Sequence, residues 1–308
     1  MKPLLYSLFA LMISLHGSLW GAPLRVLVSS DVGEFSADYA ATLKAGGAAV
    51  VVAESPTAEQ LGQADVLLLH RSRFTPFSAE QQAALTGFTQ KGGGIVAVHG
   101  AMAGGDLAWG KAIYGGAWDP QQSERFSSTM MLYVRTDADP IVRESSSFDL
   151  VDETLYDLAL DEKIFVLGSA FTPKVTNSRK TKPAAAEQGR AKAERASIYD
   201  LQPQIWSFQG EKHRAVALLQ GSPASLKHPS IRTFILRGVA WAGKREEVNA
   251  FCSKADLATL RYPSGGPLRP VDAIKAFQMQ PGFKASVVAA EPLISKPIAV
   301  QWDGRGRS

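Results

Sequence analysis

His99 is the residue of this chain best placed to do chemistry. Residues 92–101 read Gly-Gly-Gly-Ile-Val-Ala-Val-His-Gly-Ala. The apolar run Ile95–Val98 has the length and composition of a buried parallel strand, and it ends at His99. In open α/β sheets, ligands bind outside the carboxyl ends of the strands. Enzymes with a strand–elbow–helix turn often carry a Ser or Cys nucleophile at that point. A histidine there suits general acid/base work or a polar contact to a substrate hydroxyl. The competing reading is an imidazole that bonds backbone and holds the loop.

Other residues can assist or line such a site. Asp152, Glu153 and Tyr156 are spaced to share one face of a short helix, and a carboxylate beside an imidazole can orient it and favour its charged form. Trp109, Trp118 and Trp206 can offer stacking faces and an indole N–H to a sugar ring, or can pack the core. Asp31, Asp106 and Asp119 fall in loops after strands, as do Arg71 and Arg73. Beyond residue 22 the histidines are His70, His99, His213 and His228. None has the spacing of a metal-binding motif, so no metal is expected. Cys252 is the sole cysteine. It lies too far along the chain for a thiol nucleophile at the elbow, which argues against glutaminase chemistry. No G-x-G-x-x-G follows the first strand, so no nicotinamide site and no other cofactor is expected.

The elements that must position these residues alternate. Leu24–Ser30 reads as a strand and Ser36–Ala45 as a helix capped by Ser36. Ala48–Ala53 and Asp65–His70 read as strands. A helix starts at Ser78 with a polar cap and an acidic first turn, and the strand Gly94–Val98 follows. This βα alternation predicts an α/β fold with a mainly parallel sheet. Further on, Ser127–Arg135 alternates like an edge strand and Phe148–Leu158 reads as short-helical. Ile164–Gly168 is a buried strand. Gln204–Phe208 and Ala215–Leu219 form a strand pair, and Ser230–Ala242 is a helix.

Composition is that of a globular protein, 45% hydrophobic and 20% charged, with a formal charge of +4. The positive charge concentrates in residues 174–197, which hold seven Lys/Arg against two Glu. No aromatic residues interleave with them, so a nucleic-acid partner is not expected. Residues 1–22 have a basic start, an apolar stretch Leu4–Leu15 and small residues near Ala22, the pattern of a cleaved secretory signal peptide. Export to a periplasm or the cell surface follows, with no membrane span after cleavage. The expected organisation is a signal peptide (1–22), an α/β domain (23–243), a linker (244–270) and a tail (271–308). The tail has strand-like pieces at Ala285–Ala289 and Pro297–Gln301, too few to close a sheet alone.

Several motifs resemble one family in order and spacing. They are Asp65-Val-Leu-Leu-Leu-His70, Lys91-Gly-Gly-Gly-Ile-Val-Ala-Val-His-Gly100, and Trp109 with Tyr114-Gly-Gly-Ala-Trp118. Phe148-Asp-Leu-Val-Asp-Glu-Thr-Leu-Tyr156, Pro203-Gln-Ile-Trp206 and Leu236-Arg-Gly-Val-Ala-Trp241 complete the set. From about Leu24 to Ala242 the chain resembles ThuA-like proteins of the trehalose-utilisation group. The resemblance implies a flavodoxin-like, class I glutamine amidotransferase-like three-layer sandwich. It also implies a link to disaccharides or keto-sugar derivatives as small-molecule partners, with a pocket role for Glu153 beside His99. A non-catalytic glycan- or protein-binding module is the alternative. Histidines frequent in the family are replaced here within Ser29–Val32, Asp139-Pro-Ile141, Gln220-Gly-Ser222 and Asp119–Gln122. Residues 271–292 resemble the entry to a β-propeller of large exported dehydrogenase-like proteins, which would make the chain a fragment with that propeller as its downstream partner.

Overall fold

The computed structural model describes residues 22–135, 139–174, 198–261 and 270–290. The proposed signal peptide, the basic stretch after Lys174 and Pro297–Gln301 lie outside the described residues. The chain divides into two compact units, Met1–Pro263 and Ser264–Ser308.

In the first unit, five parallel strands form the centre: β1 (Arg25–Ser30), β2 (Ala49–Ala53), β3 (Val66–Arg71), β4 (Gly94–His99) and β11 (Arg214–Leu218). Their order is β2-β1-β3-β4-β11, the flavodoxin-like order with its switch point between β1 and β3. β3 and β4 are buried along their whole length, as continuous apolar runs covered on both faces should be. Beyond β11 the sheet continues antiparallel through β10 (Ile198–Gln209), β9 (Phe165–Lys174), β6 (Glu124–Val134) and β7 (Phe148–Tyr156). A small ladder pairs β5 (Gly116–Ala117) with β8 (Ala159–Leu160).

Two apolar layers sandwich the sheet. Helices α1 (Gly33–Ala45) and α6 (Pro229–Ala242) bury Phe35, Tyr39, Leu43, Ile231 and Phe234 against one face. On the other, α2 (Ala58–Gly62), α3 (Ala79–Gln90) and α4 (Leu107–Tyr114) bury Leu61, Leu85, Phe88 and Ile113. Thr57 and Ser78 close capping boxes at α2 and α3 with Gln60 and Gln81. Pro229 starts α6, where its missing N–H costs nothing. Short helices α5 (Pro223–Lys227) and α7 (Lys254–Thr259) flank α6. Phe251 and Leu260 are buried in the core, so the chain stays packed on the domain as far as Leu260.

Three expectations are corrected. The first helix begins at Gly33 with Val32, not Ser36, as its cap residue. Ser36 is buried inside the helix. Phe148–Leu158 is not helical. Phe148, Leu150, Asp152 and Thr154 are buried in alternation, a period of two that marks a strand. In the second unit, Pro270–Ala276 forms the exposed helix α8. Ala285–Ala289 is not a strand, since no second strand pairs with it among the described residues.

Candidate functional site

β4 delivers His99 to the carboxyl edge of the sheet, and the turn that follows is sharp. His99 has φ 55° and ψ −116°, a conformation costing a non-glycine residue about 1–3 kcal/mol. A short 3-10 turn, Gly100–Ala103, follows. This strained strand-to-helix turn is the backbone device that presents a nucleophile in other folds. Two glycines permit it. A Cβ on Gly100 would lie 2.4 Å from the Arg73 carbonyl oxygen, and one on Gly221 would lie 2.2 Å from His99 Cγ.

Both imidazole nitrogens are engaged. Nδ1 lies 3.3 Å from the Arg71 carbonyl oxygen, and Nε2 lies 3.3 Å from Glu153 Oε2. The carbonyl can only accept, so the proton of Nδ1 points to it. Glu153 also accepts from Arg125 at 3.3 Å. The hydrogen bond from His99 holds the Glu153 carboxyl below its ordinary range, opposing the upward push of burial, and Arg125 adds to the lowering. The contacts are longer than the ~2.7–2.9 Å of a tight charge-assisted bond, so a ligand can open the pair.

Phe74 meets His99 edge-on at 4.9 Å and touches Trp118 at 4.9 Å. The Arg125 guanidinium lies 4.7 Å over the Phe74 ring. His99 is 6% exposed, while the Arg125 and Glu153 side chains are 31% and 30% exposed. Acid/base, ionic and aromatic groups thus meet in one place. Among the described residues no group of three or more His, Cys, Asp or Glu is placed to hold a metal ion.

His70 flanks the site from β3. Its Nδ1 lies 2.7 Å from Ser30 Oγ, and its ring stacks on Phe35. Burial first, then the nearby His99, push it down to about pH 4.

The structure brings His99, Glu153 and Trp118 together, but gives other candidates different work. Asp152 is buried and accepts from the Gly221 and Ser222 N–H groups at 2.9 and 3.1 Å. It pins the loop behind His99 and does not face a ligand. Asp31 accepts from the Ser72 N–H and hydroxyl. Burial pushes its carboxyl up, and the two Ser72 bonds more than offset this. Arg71 is buried and bonds Ser29 Oγ and the His70 and Glu54 carbonyls, bracing three strand ends. Asp106 caps α4 through the Trp109 N–H. Asp119 is buried and accepts from Gln121 N.

Three aromatic candidates are engaged in packing. Trp206 is fully buried and donates from Nε1 to the Tyr114 carbonyl, leaving no face for a sugar. Trp109 bonds Thr86 and packs edge-on against Tyr114. Tyr156 is fully buried and donates to Glu124. Burial pushes its hydroxyl well above the ordinary range.

Arg125, Phe74 and Gly221 escape the sequence reading. Arg125 becomes visible once residues 148–156 are taken as a strand, because a paired β6 then sets it diagonal to Glu153. Phe74 and Gly221 sit in loops whose course no local pattern reveals.

Comparison with known proteins agrees with this architecture. The family profile ThuA, described as trehalose utilisation, matches residues 29–242. A profile for a domain of unknown function, DUF7133, matches residues 269–308. No curated protein matches the chain in sequence. Among solved structures, a ThuA-like protein from Bacteroides uniformis has TM-score 0.50 at 16% identity. The match covers 76% of this chain and 98% of that one. The protein STM1381 from Salmonella typhimurium has TM-score 0.45 at 13% identity, covering 77% of this chain and 100% of that one.

Proposed function

The chain belongs to the ThuA family, linked to trehalose utilisation, and from that premise we propose that its α/β unit is an exported carbohydrate-binding domain that takes a disaccharide or keto-sugar derivative at His99. The observation that carries the reading is the contact of His99 Nε2 with Glu153 at the carboxyl edge of the sheet. An imidazole beside a carboxylate suits general acid/base action on a sugar hydroxyl or carbonyl. Phe74 and Trp118 supply apolar faces for a ring, and Arg125 supplies donors. No helix among the described residues is long and apolar enough to cross a membrane.

A second reading, a binding module without turnover, is favoured by one observation. The stretch Gln220-Gly-Ser222 stands where the family often has a Gly-His pair, and both polar atoms of the Gln220 side chain are buried without a partner. The test is calorimetric titration of the full chain with trehalose, maltose and a 3-keto-disaccharide, with product analysis. Binding that His99→Ala abolishes supports the site. Binding without turnover selects the second reading. Undiminished binding in His99→Ala refutes the site.

A further inference from the structure

The outer face of the antiparallel strands is apolar where a water-facing sheet should be polar. Met131, Tyr133, Val151, Phe171, Tyr199 and Leu201 are each 38–64% exposed. The register makes them one patch. Leu201 pairs with Phe171 across β10 and β9, and Tyr199 lies two residues along the same face. Tyr133 pairs with Ser169 next to Phe171, and the Tyr133 and Phe171 rings meet edge-on at 5.5 Å. Met131 follows on that face of β6, with Val151 diagonal to it on β7. Partly exposed large side chains of ~150–250 Å² each give a patch on the order of 500 Å², at the size where exposed apolar surface marks an interaction site.

This patch runs into the His99 site. Val151 pairs with Thr129, and one step on, Glu153 pairs with Ser127. From Ser127 to Tyr133 the strip is about 20 Å long, at ~3.4 Å per residue. We infer that this strip is an extended subsite for a neutral glycan chain, so that the ligand of the His99 site is the end or a segment of an oligosaccharide. The inference rests on the carbohydrate reading of that site.

Three observations select this occupant. The rings of Tyr133, Phe171 and Tyr199 cluster at one end of the strip, with Ser169 beside Tyr133 and the hydroxyls of Ser127 and Thr129 towards His99, a mixture that suits sugars with apolar C–H faces and polar rims. Charge on the strip is sparse: Asp149, Arg135 just past Tyr133 with its guanidinium over Phe165, and at the His99 end the mutually paired Arg125 and Glu153. A polyanionic or polycationic ligand is therefore a poor match. The area falls short of the ~800 Å² per partner usual in a stable protein interface, which argues against a second copy.

The test compares affinities of the full chain for maltohexaose, cellohexaose and xylohexaose with those for the matching disaccharides. At least one hexasaccharide should bind ten times more tightly than its disaccharide. Phe171→Ser and Tyr199→Ser should each weaken the hexasaccharide roughly three- to tenfold, as expected for one lost stacking ring, without touching disaccharide affinity. These side chains are exposed, and unchanged circular dichroism verifies the fold. Disaccharide binding at His99 with no gain from longer chains overturns the subsite alone. Hexasaccharide binding lost in Phe171→Ser but untouched by His99→Ala overturns the His99 reading and keeps the strip. A shift from dimer to monomer in the Phe171→Ser variant overturns the subsite in favour of self-association.

Discussion

Gly221→Ala is the sharpest perturbation of the His99 turn. A methyl there would lie 2.2 Å from His99 Cγ, 2.5 Å from Cδ2 and 2.6 Å from Cβ. These atoms are near the root of the side chain, so no rotation of a flexible end relieves the clash. Either the ring leaves Glu153 or the loop held by Asp152 moves. Overpacking of this kind costs about 1–3 kcal/mol, and in a domain of this size each kcal/mol lowers Tm by about 2–4 °C. Gly221→Ala should therefore melt about 2–12 °C below the wild type and lose ligand affinity. Gly87→Ala is the control, because nothing lies within 4 Å of its added methyl and helix propensity favours the change by up to ~1 kcal/mol. The double variant Gly221→Ala/His99→Ala removes most of the clashing ring. Its destabilisation should fall short of the sum of the single variants by about 0.5–3 kcal/mol, the range for residues in contact. Thermal and urea unfolding measure the wild type and all four variants, His99→Ala included. A Gly221→Ala variant as stable as wild type, or strict additivity with His99→Ala, would refute the reasoning.

Other perturbations separate site from scaffold. His70 is held neutral by burial and titrates at about 4 in the fold against 6.5 unfolded. Its contribution is complete above pH 6.5 and is lost as pH falls towards 4. At ~1.36 kcal/mol per unit the loss is about 3 kcal/mol, and urea titrations should show a flatter limb in His70→Gln. Glu153 is depressed in the fold, so its contribution holds above the ordinary carboxylate range and is lost as pH falls through the lowered folded value. Glu153→Gln should remove that acid dependence, and an unchanged acid limb would count against the pair. Trp206→Ala should cost about 3–5 kcal/mol as a buried truncation, whereas Trp118→Ala should cost far less and weaken sugar binding, by paired denaturation and calorimetry.

Much of the parallel half is legible in sequence because its signals are local. Apolar runs such as Val66–Leu69 and Ile95–Val98 need only burial, and Ser78 with Gln81 writes its own helix start. His99 is legible for the same reason, since a strand end in this topology faces the ligand edge. The antiparallel half is harder. Asp152-Glu-Thr-Leu-Tyr156 sets carboxylates three and four residues before Tyr156, as a helix would, but buried side chains alternate with exposed ones over Phe148–Asp152 because β6 lies alongside. Reading that segment as a helix puts Asp152, Glu153 and Tyr156 together, whereas the strand sends them to a loop pin, the imidazole and Glu124. The tryptophans show the same limit. Composition cannot separate a stacking surface from Trp206, whose burial is decided by contacts distant in sequence.

The central claim is that His99 and Glu153 form a sugar-binding acid/base pair. Imidazole resonances of the histidine-labelled full chain, followed by NMR during titration with a disaccharide, test it most directly. Saturable shifts at His99 that vanish in Glu153→Gln are expected, with His213 and His228 unmoved. His99 resonances that stay still while a sugar binds elsewhere would contradict it.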